Sequence, residues 1–453
     1  MNDPKRTRHT PIARGKSKPI ARGKGKKKSD PRPDRRKDDA NVIPPPEPEK
    51  RPDRRPLSHV GGRIDGHLGD PAVLVALEST LAVPSEDPEA RAHVHGFHSY
   101  AARLHPETAR RLIERFSTPD GVILDPFMGS GTVLVEARLL GRCAYGADLN
   151  PLAVELAHLK TRGTTAAERD AIMDAANRVA DYADERRLEK AGPTKRYGTV
   201  DRELFEVHVL LELDGLNDGI GKLETELERR VLGLVLSSIL VKVSRQGGDT
   251  AEGKRPRRLA TGFTIRLFRN KTTELVARLA EFAAKLTKDA PPCRIAVDDA
   301  RRLDSVPANA VDLVVTSPPY PGVYDYAVHH EARMRWLGLE ARRFESGEIG
   351  ARRHLEKLTA GDAIDQWGHD FVASLLAMKR TLVRRGRVVL ILADSVVRGQ
   401  PLFADDMMES LAHDAGLSLV AAASQRRPHF HAPSRDVFRR RPRREHAFLL
   451  EGS

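Results

Sequence analysis

The sequence predicts an α/β fold: an open, largely parallel sheet interrupted once by a helical segment. Three observations carry this expectation. Short apolar runs with strand character, GVILD (121–125), CAYGAD (143–148), RIAVDD (294–299), VDLVVTS (311–317), RVVLILAD (387–394) and LSLVAAA (417–423), alternate with helical patterns. The first two flank a glycine turn and a helix, which makes one βαβ unit. Between residues 151 and 290 the strand signals stop and long helical periodicities replace them.

Taken in order, residues 1–58 are rich in Pro, Lys, Arg and Asp and poor in large apolar side chains, so a disordered basic tail is expected there. Apolar residues return from about His59. PETARRLIERF (106–116) places Ala109, Leu112, Ile113 and Phe116 on one helical face. GVILD reads as a buried strand, DPFMGSG as a turn, and TVLVEARLLG as a helix stopped at Gly141. CAYGAD is the second strand. DRELFEVHVLLELDGL and ETELERRVLGLVLSSILVKVSR form the body of the helical segment, which ends in a basic loop with Arg245, Lys254, Arg255, Arg257 and Arg258. Strands then resume, and EHAFLLE (445–451) closes the sheet. The expected organisation is a tail (1–58), an α/β domain (59–150 and 291–453) and a helical insertion (151–290).

The net charge of +13 over 453 residues is unevenly placed. Residues 1–58 hold 19 Lys/Arg against 8 Asp/Glu, and residues 426–444 hold 8 Arg against Asp436, so the rest is about −5. Basic ends on a mildly acidic body suit a polyanion, with nucleic acid the leading candidate and a solvated tail the alternative. Cys143 and Cys293 lie far apart with no CxxC, which supports neither a disulfide framework nor a zinc site, and no metal is expected. No apolar run reaches the roughly 18 residues of a membrane span, and the N-terminus lacks a signal-peptide core. The expectation is a cytoplasmic, nucleoid-associated protein with no membrane partner.

Polar groups recur at successive strand ends: Asp125, Asp148, Asp298 or Asp299, and Ser317. In an open α/β sheet the ligand lies at those ends. Gly129 and Gly131 allow close backbone approach at the start of a helix, with Thr132 behind them, and Asp148 can accept both hydroxyls of a ribose. Asp299 could accept from an adenine amine. Thr316-Ser317-Pro318-Pro319-Tyr320 ends a core strand with two prolines, which remove donors and stiffen the backbone. Such a segment presents acceptors.

DPFMGSGT followed by TSPPY resembles the S-adenosylmethionine-dependent amino-methyltransferases, especially DNA methyltransferases acting on exocyclic amines. The resemblance implies a Rossmann-like methyltransferase sheet, mostly parallel with a C-terminal antiparallel strand. It also implies S-adenosylmethionine as cofactor, held by Asp125, Phe127, Gly129, Gly131, Thr132, Asp148 and Asp299. Ser317, Pro318, Pro319 and Tyr320 would receive the target base. GFHSYAARLHPETARRLI is similar to the segment that completes the family's cofactor pocket, with Phe97, His98, Tyr100 and Pro106 as matching positions. Serine at the first position of the motif favours cytosine N4 over adenine N6.

The helical segment lies where one order class of the family places target recognition. Arg255, Arg257 and Arg258 in its loop, and Arg426, Arg427, Arg439 and Arg440 near the C-terminus, are candidate DNA contacts; His429, Phe430 and His431 accompany the latter. Tyr324, Asp325, Tyr326 and His329 are candidates for the base pocket, and Trp336 reads as core. A cognate restriction nuclease is a candidate partner. Two alternatives remain: an RNA or protein amine methyltransferase of the same fold, and a non-catalytic nucleic-acid-binding protein.

Overall fold

In the computed structural model, which describes residues 62–83, 88–246, 258–428 and 436–452, the chain enters through strand β1 (Ile64–Leu68) and helix α1 (Pro71–Leu81). The Asp70 side chain caps α1 by accepting from the Ala72 amide. Helix α2 (Pro106–Phe116) begins at a proline, buries Ala109, Leu112 and Ile113, and turns Arg110 and Arg115 to solvent. Strand β2 (Val122–Asp125), helix α3 (Thr132–Leu139), strand β3 (Cys143–Asp148) and helix α4 (Pro151–Thr161) follow. Five more helices come next: α5 (Ala166–Leu188), α6 (Thr199–Leu204), α7 (Val207–Gly221), α8 (Glu226–Val243) and α9 (Phe263–Lys285).

Strands β4 (Arg294–Val297) and β5 (Val311–Thr316) return the chain to the sheet. Helices α10 (Tyr326–Leu337), α11 (Arg342–Gly347), α12 (Arg352–Leu355) and α13 (Ala360–Thr381) lead to β6 (Leu382–Ala393). A hairpin of β7 (Ser395–Val397) and β8 (Gln400–Leu402), helix α14 (Ala404–Asp414), β9 (Leu417–Arg426) and β10 (Arg444–Gly452) complete the fold.

The main sheet has eight strands in the order β1-β9-β10-β6-β5-β2-β3-β4. From β4 to β6 every pair is parallel, whereas β10 runs antiparallel to both β6 and β9. The sheet is therefore Rossmann-like and mostly parallel, with its antiparallel C-terminal strand where the resemblance implies. β5 is buried at five of six positions because helices cover both faces, which is why its sequence is a continuous apolar run. Edge strand β1 and helix α1 were not anticipated. IDGHL is only partly buried and carries no clear alternation, so it gains its strand by pairing with β9 rather than from its own residues.

The helical segment is not walled off from the sheet. Val135 of α3 and Leu152 and Leu156 of α4 share one apolar core with residues of α5, α7, α8 and α9. Helix α4 packs on β3 and β4, so the chain leaves the sheet at Ala166 rather than at 151. Trp336 is core as expected, stacked on Tyr197 and donating its Nε1–H to Asp201. Among the described residues no helix is long and apolar enough to cross a membrane.

Packing explains one glycine that the motif does not. A Cβ at Gly146, in the middle of β3, would sit inside contact distance of Leu134 and Met128 beneath the glycine turn. Gly146→Ala should overpack this site and destabilise the fold by about 1–3 kcal/mol. A urea midpoint equal to the parent's would show that the neighbours move aside freely.

Candidate functional site

Strand order reverses between β2 and β5, and a crevice opens outside their carboxyl ends. The turn after β2 occupies it. Gly129 (φ 49°) and Gly131 (φ 85°) take left-handed conformations, and a Cβ at Gly129 would approach the Tyr100 ring to 3.1 Å. Gly131 is the N-cap of α3, so that helix directs its amide end into the crevice. Asp148 braces the turn. Its Oδ2 accepts from the Gly129 amide and its Oδ1 from the Asn150 amide, both at 2.8 Å. Burial pushes its pKa up to about 6, against the pull of those two amides.

Asp125 is buried, and burial pushes its pKa up to about 7 although two groups donate to it. One is Thr316 Oγ1, at 2.6 Å from Asp125 Oδ1, which ties the end of β5 to the end of β2. The other is the Phe127 amide. The motif that begins at Ser317 is thus positioned from the glycine turn, a link that sequence spacing does not reveal.

Two clefts meet at this point. The first is lined by Phe127, Gly129, Asp148, Asp299, Phe344 and Pro319; the second by Thr132, Pro106, Tyr320, Tyr324, Arg443 and Glu445. Tyr100 and Ser317 line both. Asp299 faces the first cleft, whereas Asp298 turns inward and accepts from the Ser305 amide and hydroxyl at 2.7 Å. Of the two aspartates named above, Asp299 is the one that reaches the cleft. Burial raises the Asp299 pKa, but the Arg301 guanidinium, 2.8 Å away, outweighs it and holds the carboxyl below its ordinary range.

Ser317 Oγ lies 3.2 Å from the Tyr320 hydroxyl, which in turn is 3.5 Å from Glu445 Oε1. Glu445 Oε2 accepts from Arg427 Nε at 2.9 Å and Nη2 at 2.7 Å. The Pro319 carbonyl accepts from Trp367 Nε1, which pins the rigid turn to α13, and Pro318 is buried behind it. Burial, with Glu445 adding to it, raises the Tyr320 pKa, so its hydroxyl stays protonated.

Several expectations are corrected here. Arg427 is buried and occupied by Glu445, so it is part of the cleft wall rather than a free phosphate contact. Phe97 and His98 are buried away from the clefts; Phe97 enters the helical core and His98 Nε2 pairs with Ser237 of α8. Asp325 is engaged by Arg352 and Arg353 instead of lining a pocket. Arg258, Arg426, Arg439 and Arg440 are exposed, Arg439 beside Asp436. Arg255, Arg257, His429, Phe430, His431 and the tail at 1–58 lie outside the described residues.

Other participants were not foreseen. Asn150 caps α4 and extends its side-chain amide to the Tyr100 hydroxyl (3.2 Å) and His330 Nδ1 (3.1 Å), fixing the ring that separates the clefts. The Asn-Pro pair at the head of α4 is the signal that could have found it. Glu348 accepts from the Tyr326 and Ala327 amides and holds the start of α10 against the first cleft. Behind α3, His95 Nε2 and Glu136 Oε1 lie 2.6 Å apart, with His93 close enough to complete a metal-type cluster. Burial holds the His95 imidazole neutral and raises Glu136 to about 8, and Lys160, Arg103 and Lys285 bear on His95. That cationic surrounding opposes a dication.

The first cleft fits S-adenosylmethionine. Gly129 lets the Tyr100 ring close one side of the cleft, a half-buried carboxylate at Asp148 can accept from a ribose diol, and Leu149, Phe344 and Ile349 offer apolar walls beside Asp299 for an adenine. Residues 72–159 match a family model described as DNA methylase, a span that contains the glycine turn and Asp148 but not Ser317–Tyr320. The type II methyltransferase M.MjaII of Methanocaldococcus jannaschii is 37% identical over 68 residues, 15% of this chain and 13% of the relative. The type II methyltransferase M.MvaI of Kocuria varians is 40% identical over 70 residues, 15% of each. The chain thus matches well under a fifth of the length of these curated relatives. TrmN from Thermus thermophilus aligns over 77% of this chain and 49% of its own at 13% identity and a TM-score of 0.31, a likeness too slight to bear on function.

Proposed function

We propose that this chain, whose residues 72–159 match the DNA methylase family model, methylates an exocyclic amine of a base in DNA, cytosine N4 in preference to adenine N6. The observation that carries the reading is the position of Ser317: its hydroxyl stands where the cofactor cleft and the second cleft meet. A target amine placed there faces the cofactor on one side and hydrogen-bond acceptors on the other.

S-adenosylmethionine supplies an electrophilic methyl group on its sulfonium. The chain's own residues do the rest. Asp148 accepts from the ribose, Asp299 from the adenine amine, and the amide end of α3 faces the methionine portion. The amine of a base is a weak nucleophile because its lone pair is delocalised into the ring. Ser317 Oγ and the Pro318 carbonyl accept hydrogen bonds from its two N–H groups, draw the nitrogen toward a tetrahedral state and support the positive charge that develops there; the sulfonium would leave as a neutral thioether, and the extra proton on nitrogen passes to water. The Tyr320 ring offers a stacking face for a flipped base, worth about 1–3 kcal/mol. The tandem prolines hold these acceptors in one geometry, so little reorganisation accompanies the transfer. Exposed Arg258, Arg426, Arg439 and Arg440 contact phosphates, which makes binding weaken as salt rises.

The test is to incubate the protein with labelled S-adenosylmethionine and mixed unmethylated DNA and RNA, then identify methylated nucleosides by mass. N4-methylcytosine in DNA is expected. N6-methyladenine would overturn the base assignment alone, label confined to RNA would overturn the polymer, and no label with cofactor bound would count against an enzyme.

A further inference from the structure

The second cleft holds a cation that the mechanism above does not use. Arg443, at the approach to β10, is buried (7% exposed), lines the cleft with Ser317, Tyr320 and Tyr324, and is anchored through Nε to the Asp394 carbonyl at 2.9 Å. Neither of its terminal nitrogens has a partner among the described residues. The obvious carboxylate nearby, Glu445, is already bound by Arg427 and reached by the Tyr320 hydroxyl. Those nitrogens are therefore open to the cleft beside Ser317, where a ligand offering adjacent acceptors can take the place of water on them.

The chemistry of the target edge says which ligand suits it. Along its pairing edge cytosine presents the N4 amine, then N3, then O2: one donor followed by two adjacent acceptors. Adenine presents the N6 amine, then N1, then a C–H. With the amine held at Ser317, a planar fork of N–H donors can satisfy both cytosine acceptors, whereas adenine would leave one buried donor facing carbon. Arg427 cannot serve, since Glu445 takes its fork. We infer that Arg443 is a specificity-determining residue that reads the N3/O2 acceptor pair of a flipped cytosine in the second cleft. This rests on the proposed methyl transfer to DNA and names the group that selects its base.

The experiment uses the full-length protein, duplex DNA carrying its own methylation site as mapped by sequencing, and the same duplex with adenine at the target position. The parent, Arg443→Met and Arg443→Lys are compared for kcat/KM on both duplexes and for S-adenosylmethionine affinity, which also reports that each variant is folded. Arg443→Met should reduce the cytosine-over-adenine ratio by about tenfold or more and leave cofactor affinity within about twofold. Arg443→Lys, which keeps the charge and loses the fork, should fall between. Equal losses on both duplexes would overturn the inference in favour of a phosphate or structural contact. Weakened cofactor binding by a folded variant would assign Arg443 to the methionine carboxylate instead. A parent that makes only N6-methyladenine would also overturn it, while leaving DNA methylation intact; a parent that methylates no DNA removes the premise itself.

Discussion

Ser317→Ala is expected to lower kcat by about 100- to 1,000-fold while leaving S-adenosylmethionine affinity within about twofold. The split follows from where the hydroxyl stands. Ser317 lines both clefts but holds neither the glycine turn nor Asp148, which are joined to each other through the Gly129 amide. Its hydroxyl contributes most when the amine becomes tetrahedral, so its loss raises the barrier without loosening the ground state. Tyr320→Phe separates this role from the hydrogen bond between the two residues. It removes the 3.2 Å contact and the link to Glu445 but keeps the ring, and should cost tenfold or less, about 1.4 kcal/mol. Pre-steady-state single-turnover rates check both variants. A Ser317→Ala enzyme that transfers at the parent rate would sink the proposed role.

The parts of the site that were legible in the sequence are those built from neighbours in the chain. The glycine turn, α3 and Asp148 lie within one βαβ unit, where local turn chemistry and period suffice. The second cleft is different. Tyr320 and Glu445 are 125 residues apart, and they meet only because β10 inserts antiparallel beside β6, with Glu445 paired to Ala393. No spacing rule encodes that register. The same pairing explains why an Arg-rich stretch misled: β9 and β10 align Glu445 with Gln425, which brings Arg427 to the Glu445 carboxylate and buries it. Asn150 was readable as a cap, but its second task of holding Tyr100 depends on α10, which supplies His330 from 180 residues away. Local pattern located the glycine turn, whereas the wall of the second cleft is a product of strand order.

Asp148→Asn should weaken S-adenosylmethionine binding by about 10- to 100-fold and remove its pH dependence near pH 6. The carboxylate accepts from two backbone amides at once, through one oxygen each. An amide side chain offers one oxygen, so its NH2 group would face either the Gly129 or the Asn150 N–H and leave a buried donor unsatisfied, costing about 1–3 kcal/mol. The pH dependence has a definite sign. Burial lifts the Asp148 pKa to about 6, so in the empty protein the protonated form is favoured relative to an ordinary carboxyl. That favourable contribution to the fold is full below the unfolded value of about 3.8 and is lost as pH rises through 6. A ribose diol donates to the ionised form, so the cofactor restores part of what ionisation costs and binds best above pH 6. The rise in Tm on adding S-adenosylmethionine should therefore be larger at pH 7.5 than at pH 5.5 in the parent. Asp125, raised to about 7 chiefly by burial and bonded to Thr316, titrates in both proteins, and loss of the Asp148 charge removes one of the lesser causes that raise it. An Asp148→Asn protein that keeps the parent's pH-dependent Tm shift would move the effect to Asp125 and the joint between β2 and β5.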